Sequence, residues 1–193
     1  MSYLLITAAL AQDTLYAPTP PPDSAFVRTI NGTALAVEVS TGDVVVEPNA
    51  ASGYVVVPQG SVTVSAGEAS HDLQVEAGRF YSVAFWTGEP TVLIDERSTN
   101  MARAGLTLYN LTGSAGLTLG LADGSAAVVE GVASGASGTR IVSAVTADLA
   151  VFDGDTAVAR FEQKQLERGG GYSVLVSGEP GQLRASWVEN STN

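Results

Sequence analysis

Apolar residues recur along this chain in short bursts, and most bursts alternate with polar residues at a period of two. Ala25 to Ile30, Ala34 to Val39, Ser61 to Ala66 and His71 to Val75 follow this pattern, with Val62 and Val64 on one face of the third burst. Successive side chains on a strand point to opposite faces, so the pattern predicts strands buried on one side. Val44 to Val46, Tyr54 to Val57, Tyr81 to Trp86 and Thr91 to Ile94 complete a first series. A second series runs through Leu106 to Leu111, Gly116 to Leu121, Ala126 to Val129, Ala144 to Phe152, Ala157 to Glu162, Tyr172 to Val176 and Leu183 to Val188. Turn signals separate the bursts: Asn31-Gly32, Gly42-Asp43, Asp123-Gly124, Asp153-Gly154 and the run Gly169 to Gly171. No window of a dozen residues sustains a helical period. The expected fold is all-β, with two tandem antiparallel β-sandwich domains of immunoglobulin-like type.

The division into two rests on an internal duplication. Tyr81-Ser82-Val83 precedes Thr87-Gly88-Glu89-Pro90, and Tyr172-Ser173-Val174 precedes Ser177-Gly178-Glu179-Pro180. Upstream, Ile30-Asn31 matches Tyr109-Asn110, each closing an opening strand. The expected domains are 25–96 and 103–190, separated by the polar stretch Asp95 to Arg103. The Gly/Ser-rich segment Ala133 to Thr139 reads as a loop. Ahead of the first domain, residues 12–24 form a proline-rich extended arm, since proline fixes φ and donates no hydrogen bond. Leu4 to Ala11 is an apolar run ending in the small-x-small pattern Ala9-Leu10-Ala11. Residues 1–11 therefore read as the remnant of a signal peptide, and the expected location is the periplasm.

Charge narrows the set of partners. The net charge is -11, only nine residues are basic, and Lys164 is the sole lysine. No basic stripe exists to displace counterions from phosphates, so nucleic acid is an unsuitable partner. An acidic polymer would also be repelled, and contact with one must be local, through Arg28 or Arg103, or be made by a partner protein.

Candidate chemistry is sparse. There is no cysteine, and His71 is the only histidine. Ser70, His71 and Asp72 are adjacent on a strand and alternate between faces, so they cannot bond mutually as a triad. Asp153-Gly154-Asp155 lacks the ligand series of a calcium loop, no spacing suits another metal, and no cofactor motif is present. Gly169 to Gly171 lacks the following helix that a phosphate cradle needs. Trp86 and Trp187 are expected near the ends of matching strands of the two repeats. They fill a core or junction, or serve as sugar- or partner-binding anchors. Glu189 and Asn190, beside Trp187, add polar groups that suit either role.

Several short blocks resemble one family in order along the chain. They are Leu15-Tyr16-x-Pro18, Ser24 to Arg28, Leu108-Tyr109-Asn110-Leu111, Ala122-Asp123-Gly124, Ala127 to Val132, Phe152-Asp153-Gly154 and Trp187-Val188-Glu189-Asn190. The family is that of the alginate O-acetylation protein AlgF. The resemblance implies tandem β-sandwiches and a periplasmic accessory role in O-acetylating an exopolysaccharide, alginate or a similar polymer such as cellulose. It further implies a non-enzymatic adaptor beside a membrane-bound O-acyltransferase and SGNH-like periplasmic acetyltransferases. A module that holds the polysaccharide, or an acetyl-transfer intermediary, is the alternative. The residues nominated for partner or sugar binding are Tyr16, Arg28, Trp86, Tyr109, Asn110, Trp187, Glu189 and Asn190.

Overall fold

The computed structural model describes residues 19–31, 35–39, 42–46, 50–66, 69–86 and 89–192. The expected signal segment, most of the proline-rich arm and Tyr16 lie outside these residues, as do Gly32, Thr87 and Gly88. Every regular element described is a strand. The first series comprises β1 (Ser24–Asn31), β2 (Leu35–Val39), β3 (Gly42–Val46), β4 (Ala50–Ala51), β5 (Val55–Pro58), β6 (Gly60–Ala66), β7 (Ala69–Val75), β8 (Phe80–Phe85) and β9 (Thr91–Asp95). The second comprises β10 (Arg103–Thr112), β11 (Leu117–Leu121), β12 (Ala127–Val132), β13 (Ala136–Ser143), β14 (Thr146–Asp153), β15 (Thr156–Gln165), β16 (Gly171–Gly178) and β17 (Arg184–Glu189).

Each series folds into two sheets. The N-terminal half has a sheet ordered β4-β1-β8-β9, with β5 also on β1, and a sheet ordered β3-β2-β6-β7. The C-terminal half has β13-β10-β16-β17 and β12-β11-β14-β15. The two strand orders are the same once β1 is set against β10 and β8 against β16. One feature departs from the antiparallel expectation. β1 pairs in parallel with β8, and β10 in parallel with β16. A parallel pair needs a long crossover, and here the whole of the other sheet supplies it.

The duplication extends to single hydrogen bonds. The Tyr81 hydroxyl accepts from the Glu76 amide at 3.1 Å, and the Tyr172 hydroxyl from the Glu167 amide at 2.8 Å. Both are tyrosine corners, in which a phenol ties a strand start to the backbone just upstream. Gly78 and Gly169 take φ of 75° and 73°, and their amides donate to the carbonyls of Ser24 and Arg103 at 2.7 and 2.8 Å. We expect Tyr81→Phe and Tyr172→Phe each to lower stability by about 1 kcal/mol, the net worth of one hydrogen bond, in urea titrations.

Alternation places the cores. Ala25 and Val27 of β1, Val62 and Val64 of β6, and Tyr81, Val83 and Phe85 of β8 share the N-terminal core. Ala104, Leu106 and Leu108 of β10, Leu117 and Leu119 of β11, and Tyr172, Val174 and Val176 of β16 build the C-terminal one. The opposite faces of β1, β8, β10 and β16 are buried too. Ile30, Ala84, Leu93, Tyr109, Leu111 and Leu175 form a third cluster, drawn from both halves. The β1 sheet thus packs its outer face on that of the β10 sheet, with β13 beside β9 and β17 beside β4. Four sheets stack in series, and the junction between halves is itself a core. Burying each of its large aliphatic side chains contributes about 1.5–3 kcal/mol.

Residues Ala136–Ser143 correct the expected loop. They are β13, paired with β10 from Arg103↔Ser143 to Asn110↔Ala136. Their glycine is explained by crowding: a Cβ at Gly138 would lie 2.9 Å from Val129 Cγ1 and 3.0 Å from Val132 Cγ2. Close approach of a neighbouring strand, and not a turn, demands the glycine here.

Candidate functional site at the domain junction

Arg28 lies on β1 between Val27 and Thr29, so its side chain leaves the N-terminal core and enters the junction. It is fully buried. Nε donates to Ser82 Oγ at 2.8 Å, Nη1 to Asn190 Oδ1 at 2.8 Å, and Nη2 to Tyr109 OH at 2.7 Å and Ser173 Oγ at 3.0 Å. Ser82 and Ser173 are the equivalent serines of the two Tyr-Ser-Val segments. The guanidinium also stacks near the rings of Tyr54, at 4.6 Å, and Tyr109, at 5.3 Å.

The balancing charge is Asp95, at the end of β9. Its Oδ2 stands 3.8 Å from Arg28 Nε and accepts from Ser82 Oγ at 2.5 Å and Tyr54 OH at 2.8 Å. Its Oδ1 accepts from Tyr109 OH at 2.5 Å. Ser82 is therefore a relay, receiving from the cation and giving to the carboxylate. Asp95 is buried and belongs to the junction, whereas the sequence places it at the start of a polar linker. Among the described residues, no buried side-chain nitrogen or oxygen lacks a partner.

Burial works against the Arg28 charge, but Tyr109, Tyr54 and Asp95 outweigh it and hold the guanidinium pKa above its ordinary value. Burial pushes the phenols of Tyr54 and Tyr109 well above the usual tyrosine range; Arg28 opposes the shift and Asp95 adds to it. The site therefore holds one fixed cation, one carboxylate and two neutral phenols.

The segment after β17 closes the site. The Asn190 amide donates to Gly171 O at 2.8 Å, and its Oδ1 accepts from Arg28 and from Ser173 Oγ, the latter at 2.8 Å. The Tyr54 amide then donates to Ser191 O at 2.8 Å, and Tyr54 bridges Thr192. The C-terminal half thus grips the N-terminal half through residues 190–192.

The nominated residues do not share one place. Arg28, Tyr109 and Asn190 meet in the network, Arg28 and Tyr109 enclosed by protein and Asn190 half-buried at its edge. Asn110 is also buried, but it staples a turn. Its Nδ2 donates to Ser114 O and Val132 O at 2.9 and 2.8 Å, and its Oδ1 accepts from the Thr112 hydroxyl at 2.6 Å. Glu189 is exposed beside the network. The tryptophans are not equivalent. Trp187 is opposite Val174 on β17, its ring 5.3 Å from that of Tyr172 and 5.8 Å from Phe161, with Lys164 Nζ 5.3 Å from its centroid. It occupies the place that Val92 holds opposite Val83 in the first repeat. Trp86 follows β8, where the second repeat has Ser177, and its Nε1 donates to Thr91 Oγ1 at 3.3 Å. Ser82, Tyr54 and Asp95 were not singled out by the sequence. The one available signal was the repeated serine of Tyr-Ser-Val, a polar residue retained between two apolar ones.

Where Trp86 reaches the surface, the seam between the halves opens into a groove of about 510 Å³. Its walls are Trp86 from the first half and Leu111, Glu179, Gln182 and Arg184 from the second.

These features define a tandem β-sandwich protein whose two halves are joined by a buried ionic lock and a shared apolar core. The model of the family described as alginate O-acetyl transferase AlgF matches residues 2–173. An alginate biosynthesis protein AlgF of Pseudomonas aeruginosa is 32% identical over 91% of this chain and 82% of its own length. That of Pseudomonas syringae is 30% identical over 96% of this chain and 86% of its own. The solved C-terminal domain of AlgF from P. aeruginosa aligns at 36% identity with a TM-score of 0.43, covering 46% of this chain and 99% of that domain. The chain belongs to the AlgF family.

Proposed function

We propose that this protein is a non-catalytic, periplasmic accessory of alginate O-acetylation, acting through the surfaces it presents to a membrane-bound O-acyltransferase and SGNH-like acetyltransferases. Membership of the AlgF family supports the pathway. The observation that carries the adaptor role is the lock at the junction. Arg28, Asp95, Tyr54 and Tyr109 form a buried cluster of polar groups bonded to one another across the domain boundary. Such a cluster fixes the relative placement of two binding bodies and leaves little for a substrate. His71 is half-buried on β7 opposite Val64, as an ordinary strand residue.

Deleting the gene should abolish acetylation of the secreted polymer while polymer yield persists, and a His71→Ala copy should restore it. The purified chain, given an acetyl donor and oligouronate, should show no turnover. The chain should co-purify with the named acetyltransferases from the periplasmic side, starting near Gln12. Turnover by the chain alone would overturn the non-catalytic part, and unchanged acetyl content the whole.

A further inference from the structure

The outward faces of the two outer sheets differ, and the repeat supplies the comparison. In the first half Val62, Val64, Leu73 and Val75 belong to the core, so the alternate residues of β6 and β7 face water. All of these are polar: Ser61 lies opposite Gln74, Thr63 opposite Asp72 and Ser65 opposite Ser70. They also satisfy one another, the Thr63 hydroxyl donating to Asp72 at 2.6 Å and that of Ser65 to Ser70 at 3.3 Å. This is the ordinary solvated side of an antiparallel sheet. By strand order, β11, β14 and β15 are the counterparts of β2, β6 and β7. There Leu117, Leu119, Leu149 and Val151 take the core positions, and the outward pairs are Thr118 opposite Phe152 and Gly120 opposite Ala150. An aromatic ring and two residues with almost no side chain thus stand on the face that should be polar.

The small residues leave a hollow. A cavity of about 280 Å³ opens beside the half-buried Phe152, walled by Thr118, Gly120, Ala127 and Asp155. Its floor is set by the backbone. The register of β11 and β12 shifts at Gly120, and a Cβ there would stand 2.7 Å from the Ala126 carbonyl oxygen, so the position requires glycine. Carboxylates outnumber cations around it. Asp148, Asp155 and Glu162 are exposed and enter neither ion pair found among the described residues. Asp148 accepts from the Gln163 amide at 2.7 Å. Arg160, opposite Ala150, carries the facing positive charge, and its Nη1 donates to Ala122 O at 2.6 Å.

We propose that this face docks a partner protein through a basic segment, with one aliphatic side chain seated beside Phe152 and lysine or arginine side chains against the flanking carboxylates. The cavity is smaller than a typical small-ligand cleft and suits a single side chain, the kind of pocketed anchor that dominates protein interfaces. The rim selects the sign of the partner. Its carboxylates, on a chain of net charge -11, attract a basic surface and turn away acidic polymers and anionic lipid. The proposal rests on the adaptor reading and names the face through which one partner is held.

The test is titration of the nitrogen-15-labelled full chain with a pentapeptide of alternating lysine and leucine, followed by amide correlation spectra. A pentapeptide of alternating glutamate and leucine is the comparison. Saturable shifts are expected for the lysine peptide at Thr118, Gly120, Phe152 and Asp155, weakening as salt rises. Ala127→Tyr, which fills the hollow from an exposed position, should weaken binding by about tenfold or more, the loss of one pocketed anchor. Asp155→Lys should weaken it too, whereas Asp72→Lys, the same charge change on the polar face of the first half, should not. In cells lacking the gene, copies carrying Ala127→Tyr or Asp155→Lys should restore less acetylation of the secreted polymer than one carrying Asp72→Lys. Urea midpoints report whether each variant folds, and Asp155→Lys, in an exposed turn, decides the matter if Ala127→Tyr does not. No saturable shifts, equal shifts around Asp72, equal binding of the glutamate peptide, or normal acetylation with both face variants would each overturn the docking face. The deletion reports separately on the adaptor reading: acetylation lost on deletion but normal in both variants strikes the face and spares that reading.

Discussion

Replacing Arg28 by alanine is expected to cost about 3–5 kcal/mol of stability and to split one unfolding transition into two. The figure follows from what the substitution leaves behind. Asp95 would remain buried with three hydroxyl donors and no countercharge, and Ser173, Asn190 and Tyr109 would each lose a donor. The loss falls at a cation that bonds to both halves at once, through Ser82 on one side and Tyr109, Ser173 and Asn190 on the other, so their coupling weakens before either core does. Scanning calorimetry of the wild type should give one cooperative transition, and that of Arg28→Ala two. Arg28→Lys should recover only part, because a single ammonium cannot meet four acceptors placed for a planar fork. The double change Arg28→Met/Asp95→Leu should be less damaging than Arg28→Ala alone, since it removes both charges and keeps the volume. A single, unshifted transition in Arg28→Ala would show that the apolar cluster joins the halves by itself.

Alkali should have the second large effect. The phenols of Tyr54 and Tyr109 are held protonated in the folded protein far above the ordinary value near 10. Above pH 10 the unfolded chain releases these protons and the folded chain keeps them. The folded state then binds more protons, so stability falls as pH rises. The stabilisation is fully present below pH 10 and is lost progressively above it, by up to about 1.4 kcal/mol per pH unit for each phenol, or about 3 for the pair. Urea midpoints at pH 8, 10, 11 and 12 would trace the fall. Tyr54→Phe/Tyr109→Phe lowers stability at pH 8, because Asp95 loses two donors, yet it should flatten the slope above pH 10. An equally steep slope in that variant would place the titrating groups elsewhere.

The two expectations share a cause. The junction is a polar network in a low-dielectric setting, where a complete set of partners stabilises and an incomplete one is costly. The serine pair Ser82 and Ser173 shows how the network arose from the repeat. The same residue of each Tyr-Ser-Val strand faces the junction, one from each side, and the two serines grip the same guanidinium. The first repeat supplies Arg28 where the second has Thr107, so the duplicated scaffold is symmetric while its lock is not.

Much of the scaffold is legible in the chain. A period of two marks Val62 and Val64 as facing inward, and both are buried. The matched Tyr-Ser-Val segments identify the repeat, and the structure bears it out down to the tyrosine corners and the strand order of both sheets. Periodicity reports which residues share a face, because that depends only on backbone geometry. It does not report what a face meets. Arg28, at an outward position of β1, reads as solvent-exposed, and only the stacking of two sheets encloses it. Asp95 reads as linker for the same reason. Asn190 follows the last strand by one residue and lies 162 positions from Arg28, a contact that no local pattern encodes. Gly138 reads as a loop glycine because sequence cannot show the valines pressing on it. The parallel pairing of first and penultimate strands is hidden likewise, since strand direction within a sheet depends on how the connections cross. The chain by itself thus determined strands, repeat and inward faces, all set by neighbours a few residues apart. The lock, the composite groove and the place of Trp86 were decided by the docking of one sandwich on the other, whereas Trp187 packs against the core of its own half. There, distant residues are desolvated together, and burial turns isolated polar side chains into a single interdependent site.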